Sequence, residues 1–215
     1  MYKSTKKITT DLKYLKSKYN SKCFSFQDDN INTNHKRTIE LMNSIKNTDI
    51  KWYALSSANL MTKKIIRAMS SAGCRWIQFG LESGSNNILK LMNKPVNLKR
   101  FVEVMKNCVE VNIKPQLNII MGYPGETESD VDKTLSYLKD NRKHFSHVNC
   151  YLYRLYFNSN IGVKLKKQYF NTSLLKQDVE KYNYFTNIDN RQHIDKYVSF
   201  LEKNSINYNS VFAPK

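Results

Sequence analysis

Two apolar runs in this chain end in glycine and pass at once into amphipathic helices. They are Ile77-Gln78-Phe79-Gly80-Leu81-Glu82-Ser83-Gly84-Ser85 and Asn118-Ile119-Ile120-Met121-Gly122-Tyr123-Pro124-Gly125-Glu126-Thr127. A short run rich in β-branched and aromatic residues, closed by glycine and followed by a 3.6-residue apolar period, is the signature of a strand feeding a helix. Repeated units of this kind restrict the fold to a parallel sheet with helical crossovers, because parallel strands need a long connection between them.

The same unit recurs along the chain. A first helix is read from Ile8, Leu12, Leu15 and Tyr19 along one face, with Ser4 or Thr5 as its N-cap. A strand over residues 22–27 ends in Asp28-Asp29, and a helix over 34–46 turns Ile39, Met42 and Ile45 inward. The strand 51–55 leads through Ser56-Ser57-Ala58-Asn59 into a helix capped by Thr62 and closed by Gly73. After the strand 75–81 come a short helix bearing Ile88, Leu89 and Met92 and, beyond Pro95, a longer one bearing Phe101, Met105, Cys108 and Val109. The strand 115–121 precedes a capping-box pair, Thr127 and Asp130, and a helix with Val131, Leu135 and Leu138 inward. A fifth strand is expected from His147 to Tyr156. Residues 164–215 are expected to form a helical extension covering the last strand, with Ile194, Tyr197, Val198 and Leu201 marking a helix after an Asp189 cap. Periodicity alone leaves a barrel and an open doubly wound sheet equally possible.

The chain has 215 residues, 40% of them apolar, which suits one α/β domain with a substantial core. No apolar run approaches the roughly 18 residues of a membrane span and no signal-type stretch follows Met1, so a cytoplasmic location is expected. The balance of 35 Lys+Arg against 18 Asp+Glu leaves +17. That charge admits a basic RNA-associated module, but scattered lysines argue against specific nucleic-acid readout, which favours clustered arginine. The four cysteines, Cys23, Cys74, Cys108 and Cys150, are far apart and flanked by apolar residues. They read as small buried hydrophobes in a reducing compartment, and no metal site is expected from them.

In a parallel α/β array ligands bind at the C-terminal ends of the strands. The candidate positions are therefore Asp28-Asp29, the Ser56 to Asn59 loop, Glu82-Ser83-Gly84, and Met121-Gly122 with Gly125-Glu126. A carboxylate between Gly80 and Gly84 suits a hydroxyl or ammonium group, and a glycine followed by a Pro-Gly turn suits a flat apolar group. Each string also fits a plainer role. Glu82 can pair with a lysine while Ser83 or Ser85 caps the next helix, the Pro-Gly turn can be a rigid loop, and adjacent acids often cap a turn.

Taken in order, three of these pieces, with their flanking residues, and one other carry a resemblance. Phe24-Ser25-Phe26-Gln27-Asp28-Asp29-Asn30, then Ala72-Gly73-Cys74-Arg75-Trp76 leading through to Ser85, then Ile88 to Lys94, then Met121 to Thr127 resemble the radical S-adenosylmethionine (SAM) superfamily, most closely its branch that often carries a cobalamin-binding domain. The resemblance implies a (β/α) TIM-like barrel. It places Asp28 and Asp29 near the methionine part of SAM, with Asn59 a further cofactor contact. Glu82, Ser83 and Gly84 would lie near the ribose and amino group, and Met121, Gly122 and Gly125 near adenine. It also implies a four-iron, four-sulfur cluster on a Cys-x3-Cys-x2-Cys loop after the first barrel strand, whose electron cleaves SAM to a 5′-deoxyadenosyl radical.

No such cysteine triplet occurs in this sequence, which opens on the helix that would follow that strand. The expectation is an incomplete barrel lacking its first strand and cluster loop, inactive alone, with the missing segment encoded upstream. Cobalamin would belong to the full-length protein. A degenerate barrel that binds SAM or another protein without catalysis is the other reading.

Overall fold

The computed structural model describes residues 3–156, 184–185 and 191–210. Helix α1 (Thr5–Tyr19) opens the fold, with the Ser4 side chain accepting a hydrogen bond from the Lys7 amide at 3.2 Å. There follow β1 (Cys23–Phe26), α2 (His35–Ile45), β2 (Lys51–Ser56), α3 (Lys63–Ser71), β3 (Cys74–Glu82), α4 (Asn86–Leu91), α5 (Leu98–Glu110), β4 (Lys114–Met121), α6 (Glu128–Asp140) and β5 (His147–Leu152). Side chains of Asn34, Thr62 and Thr127 cap α2, α3 and α6, the last with Asp130 in a complete capping box. Each satisfies an amide that the first helical turn leaves unpaired.

The described tail contributes a short antiparallel pair, β6 (Leu155–Tyr156) with β7 (Tyr184–Phe185), then α7 (Arg191–Lys203) and β8 (Tyr208–Ser210). The fifth strand therefore stops at Leu152, short of the expected Tyr156, and a sixth parallel strand that the sequence did not announce pairs with it. The Asp189 cap and the expected boundary at residue 163 lie outside the described residues.

The six strands pair in the order β1-β2-β3-β4-β5-β8, every neighbour parallel. Burial alternates along β2, β4 and most of β3. Trp52, Ala54, Ile77, Phe79, Leu81, Leu117, Ile119, Met121, Val148 and Cys150 are buried in one core with Met42, Ile45, Ile65, Met69, Phe101, Met105, Val131 and Leu138 of the helices. Residues of the other parity, including Tyr53, Gln78, Gln116, Asn118 and Ile120, are only partly buried. The strands are therefore not apolar on both faces. Helices cover one face, and the sheet curls into a half-barrel whose inner face is polar: Gln78 donates to Gln116 at 3.2 Å and Asn149 to Asn118 at 2.9 Å. This selects the barrel type over an open sheet with helices on both sides. Among the described residues, β1 is an edge strand bonded only to β2, and no helix is long and apolar enough to cross a membrane.

Candidate active site

The C-terminal ends of β3, β4 and β5 surround a groove of about 420 Å³ lined by Glu82, Asn118, Ile120, Tyr151, Tyr153 and Arg154. Glu82 closes β3 at a β-bulge, where the register to β4 shifts between Gly80 and Glu82. Its backbone sits at φ 65°, a left-handed conformation that a non-glycine residue adopts at a cost of about 1 kcal/mol or more. The carboxylate lies close over Gly80: a Cβ there would stand 2.6 Å from Glu82 Oε1 and would push this flexible side chain aside. The carboxylate thus folds back over its own strand at the groove, where Lys94 donates to Oε1 at 2.9 Å. The lysine pairing anticipated as the plainer role of Glu82 is present, and so is its access to the groove.

Ser83 and Gly84 turn the other way. Ser83 is fully buried, its hydroxyl 3.0 Å from that of Thr134 in α6, and the Gly84 amide donates to the same Thr134 oxygen at 3.0 Å. A Cβ on Gly84 would meet Thr134 Cα at 2.7 Å, so this glycine serves close packing of the β3–α4 loop against α6. Met121 is buried in the helix-facing core. Gly122 and Gly125 hold φ values of 71° and 86° in the loop after β4, and the Gly122 amide donates to Glu126 Oε2 at 2.9 Å. Asn59 donates to the Pro95 carbonyl and so ties the β2–α3 loop to the α4–α5 linker. Asp28 and Asp29 are exposed at the end of β1. Of the nine residues read from the sequence, Glu82 alone lines the groove; Ser83, Gly84 and Met121 turn toward α6 and the helix-facing core, and Asp28, Asp29 and Asn59 lie after β1 and β2.

Two buried acids outside those nine residues organise these loops: Asp130, expected as a capping-box residue, and Glu126, part of the candidate strand end after β4. Asp130 accepts from Ser85 at 2.6 Å, Asn87 at 3.2 Å and Thr127 Oγ1 at 2.7 Å, joining the β3–α4 and β4–α6 loops. Burial pushes its carboxyl up, but the hydrogen bonds from Ser85, Thr127 and Asn87 outweigh burial and hold it down at about 2. Glu126 accepts from the Gly122 amide and from Tyr197 of α7 at 3.2 Å. Here burial wins, and the carboxyl rises to about 7 although both bonds favour the charged form. The groove residues Asn118, Tyr151, Tyr153 and Arg154 were also missed. An amide inside the apolar run 117–121 was the available signal for Asn118.

The cysteines do not suit an iron–sulfur cluster. Cys74, Cys108 and Cys150 are buried, and burial pushes the Cys108 and Cys150 thiols to about 12 and Cys74 higher still, with the nearby Cys108 adding to it. A ligating cysteine must be a thiolate. Cys23 is exposed, contrary to its reading as a buried hydrophobe, and lies at the start of β1, away from the groove end of the sheet. Among the described residues no three His, Cys, Asp or Glu side chains converge on a metal position.

Residues 2–138 match the family described as the Radical SAM superfamily. The chain belongs to that superfamily. Over 138 residues it is 30% identical to an uncharacterised methyltransferase of Pyrococcus horikoshii, covering 63% of this chain and 30% of that protein. Over 124 residues it is 32% identical to bacteriochlorophyllide d C-12(1)-methyltransferase of Chlorobaculum tepidum, covering 57% of this chain and 27% of that one. The radical SAM chain thus spans under a third of the length of these relatives. Its fold is similar to the radical SAM methyltransferase TsrM of Kitasatospora setae, solved with cobalamin and a [4Fe–4S] cluster, with a TM-score of 0.68 at 13% identity over 76% of this chain and 34% of that one.

Proposed function

We propose that this chain is the SAM-binding part of a radical SAM enzyme, working with cluster thiolates supplied by another polypeptide segment and inactive without them. The observation that carries the reading is Glu82, a strained carboxylate set at the mouth of a groove of about 420 Å³. Strain of this kind persists where surrounding structure over-determines it, as at ligand sites. Glu82 would accept hydrogen bonds from the ribose hydroxyls or the ammonium group of SAM, and the Tyr151 and Tyr153 rings beside it offer apolar surface to the nucleoside. Met121 to Gly125 support the adenine side, and Asp28, Asp29 and Asn59 the outer rim.

None of the chain's own thiols meets the requirements of the cluster, so no radical step is assigned to these residues. The edge of β1 is where the complementing segment would add. Its outer backbone groups are unpaired among the described residues, and the adjoining helix α1 exposes Tyr14, Leu15 and Tyr19. Methyl transfer is the reaction class carried by the names of the relatives, with cobalamin, where used, held by a separate domain. The thiol environment favours one second reading, a barrel that binds SAM without cleaving it, in the cytoplasm like the first.

Titration calorimetry with SAM and with S-adenosylhomocysteine on the chain as it stands tests the site. Micromolar or tighter binding that Glu82→Gln weakens by about 1–3 kcal/mol, the scale of a hydrogen bond to a charged group, is the expected result. Affinity unchanged in the variant would overturn the assigned role of Glu82, and no binding by either protein would overturn the SAM-binding reading of the isolated chain.

A further inference from the structure

Helix α7 lies far along the chain from the β4–α6 loop, yet it docks against the base of that loop. Lys196 pairs with Glu128 at 3.0 Å and with Asp132 at 2.6 Å, holding α7 to the first turns of α6. At the next residue, Tyr197 is buried to 1% exposure and donates its hydroxyl hydrogen to Glu126 Oε1 at 3.2 Å. The other oxygen of Glu126 takes the Gly122 amide, while the Glu126 amide returns to the Tyr123 carbonyl at 2.9 Å. The loop is thereby closed into a ring whose carboxylate is steered from α7.

The ring then bears on the groove. Tyr123 stacks edge-on against Tyr153 with ring centroids 4.8 Å apart, its hydroxyl donates to the Leu91 carbonyl at 3.2 Å, and the Tyr153 amide donates to the Met121 carbonyl at 2.9 Å. Tyr153 lines the groove. A continuous set of contacts therefore runs from Tyr197 through Glu126 and the Gly122–Tyr123 turn to a wall of the groove.

We infer that Tyr197 and Glu126 are positioning residues through which docked α7 fixes the Gly122–Gly125 loop and, with it, the Tyr153 wall of the ligand groove. The loop-fixing part stands on geometry alone, and its consequence for affinity rests on the proposed SAM-binding reading. The route from Tyr197 to a ligand passes through Glu126, which accepts its hydroxyl. Undocking of α7 would loosen the β4–α6 loop while leaving the sheet and the capping box of α6 in place.

The test is amide hydrogen exchange of the segment 119–127, followed in the intact chain together with calorimetry using S-adenosylhomocysteine as the probe. Tyr197→Phe removes one hydroxyl, and Glu126→Leu removes the acceptor for the Gly122 amide. Both are expected to speed exchange in 119–127 on the order of tenfold, with the protection of β3 unchanged. Glu126→Gln retains an acceptor at the same place and is expected to restore protection, which a mere packing role for position 126 does not predict. Wild-type protection in both Tyr197→Phe and Glu126→Leu overturns the inference. Lost loop protection with probe affinity reduced on the order of tenfold supports all of it. Lost protection with unchanged affinity overturns the link to the groove, and absence of binding by the wild type overturns the SAM-binding reading while exchange still decides the loop.

Discussion

The carboxyl of Glu126 should set a measurable slope of stability against pH near neutrality. It lies fully buried beneath α7, and burial lifts it from the ordinary 4.5 to about 7. The Gly122 amide and the Tyr197 hydroxyl pull it back down, and the charge of Asp130 adds to the rise. The unfolded chain gives up this proton near the ordinary value, whereas the folded chain keeps it until about 7. Between those values the folded state binds more protons, so stability falls as pH rises through the window and levels off above it. The interval corresponds to about 3 kcal/mol, a large share of a domain's net stability.

Glu126→Gln removes the ionisation and keeps the shape. Its carbonyl oxygen accepts from the Gly122 amide, and its amide donates to the Tyr197 oxygen, whose hydrogen turns toward Thr134. Urea unfolding of both proteins at fixed ionic strength, at about pH 5, 7 and 8.5, reads the difference. The basic surface is present in both proteins, so its own contribution drops out. The variant should match the wild type at the acid end and exceed it by about 2–3 kcal/mol at the alkaline end. A variant less stable than wild type by the same amount at every pH would refute the reasoning, since it would mean that hydrogen bonding rather than desolvation dominates at this carboxyl.

Two further outcomes follow from the packing of the rim. Asp130→Ala leaves Ser85, Asn87 and Thr127 without their common acceptor and should cost about 2–4 kcal/mol in urea unfolding near neutral pH. Because the wild-type carboxyl is held at about 2 rather than 3.8, about 2 kcal/mol of that difference is present above the ordinary value and should vanish as pH falls through about 2. Gly84→Ala forces a methyl against the Thr134 Cα and Tyr137 Cβ at 2.7 and 2.8 Å, and a thermal melt should show about 1–3 kcal/mol of destabilisation. An unchanged melt would mean that the β3–α4 loop is not pressed against α6 as the distances require.

What the sequence disclosed and what it withheld divide along the range of the interactions. The caps at Ser4, Asn34, Thr62 and Thr127 are local, each side chain reaching an amide three residues on, and a reader of residues can place them. The strand–helix order is legible for the same reason, since a helical period needs only its own neighbours. Strand β8 is three residues long and owes its existence to β5, some sixty residues earlier, so no local pattern announces it. The candidate site shows the same limit more sharply. Glycines and acids at strand ends identify the loops that meet a ligand, but the direction of each side chain is decided by partners elsewhere. Thr134 draws Ser83 and Gly84 toward α6, and Lys94 meets Glu82 at the groove. Glu126 belongs to the Pro-Gly strand end that the sequence marks, but its own role is not legible there, because the residue that gives it one, Tyr197, arrives from the far end of the chain. The parallel sheet gathers these distant segments at one end, and only there does the chemistry of each acid become distinct. Glu82 is partly open to the groove, Asp130 is held charged by its donors, and Glu126 is poised to change charge near neutrality.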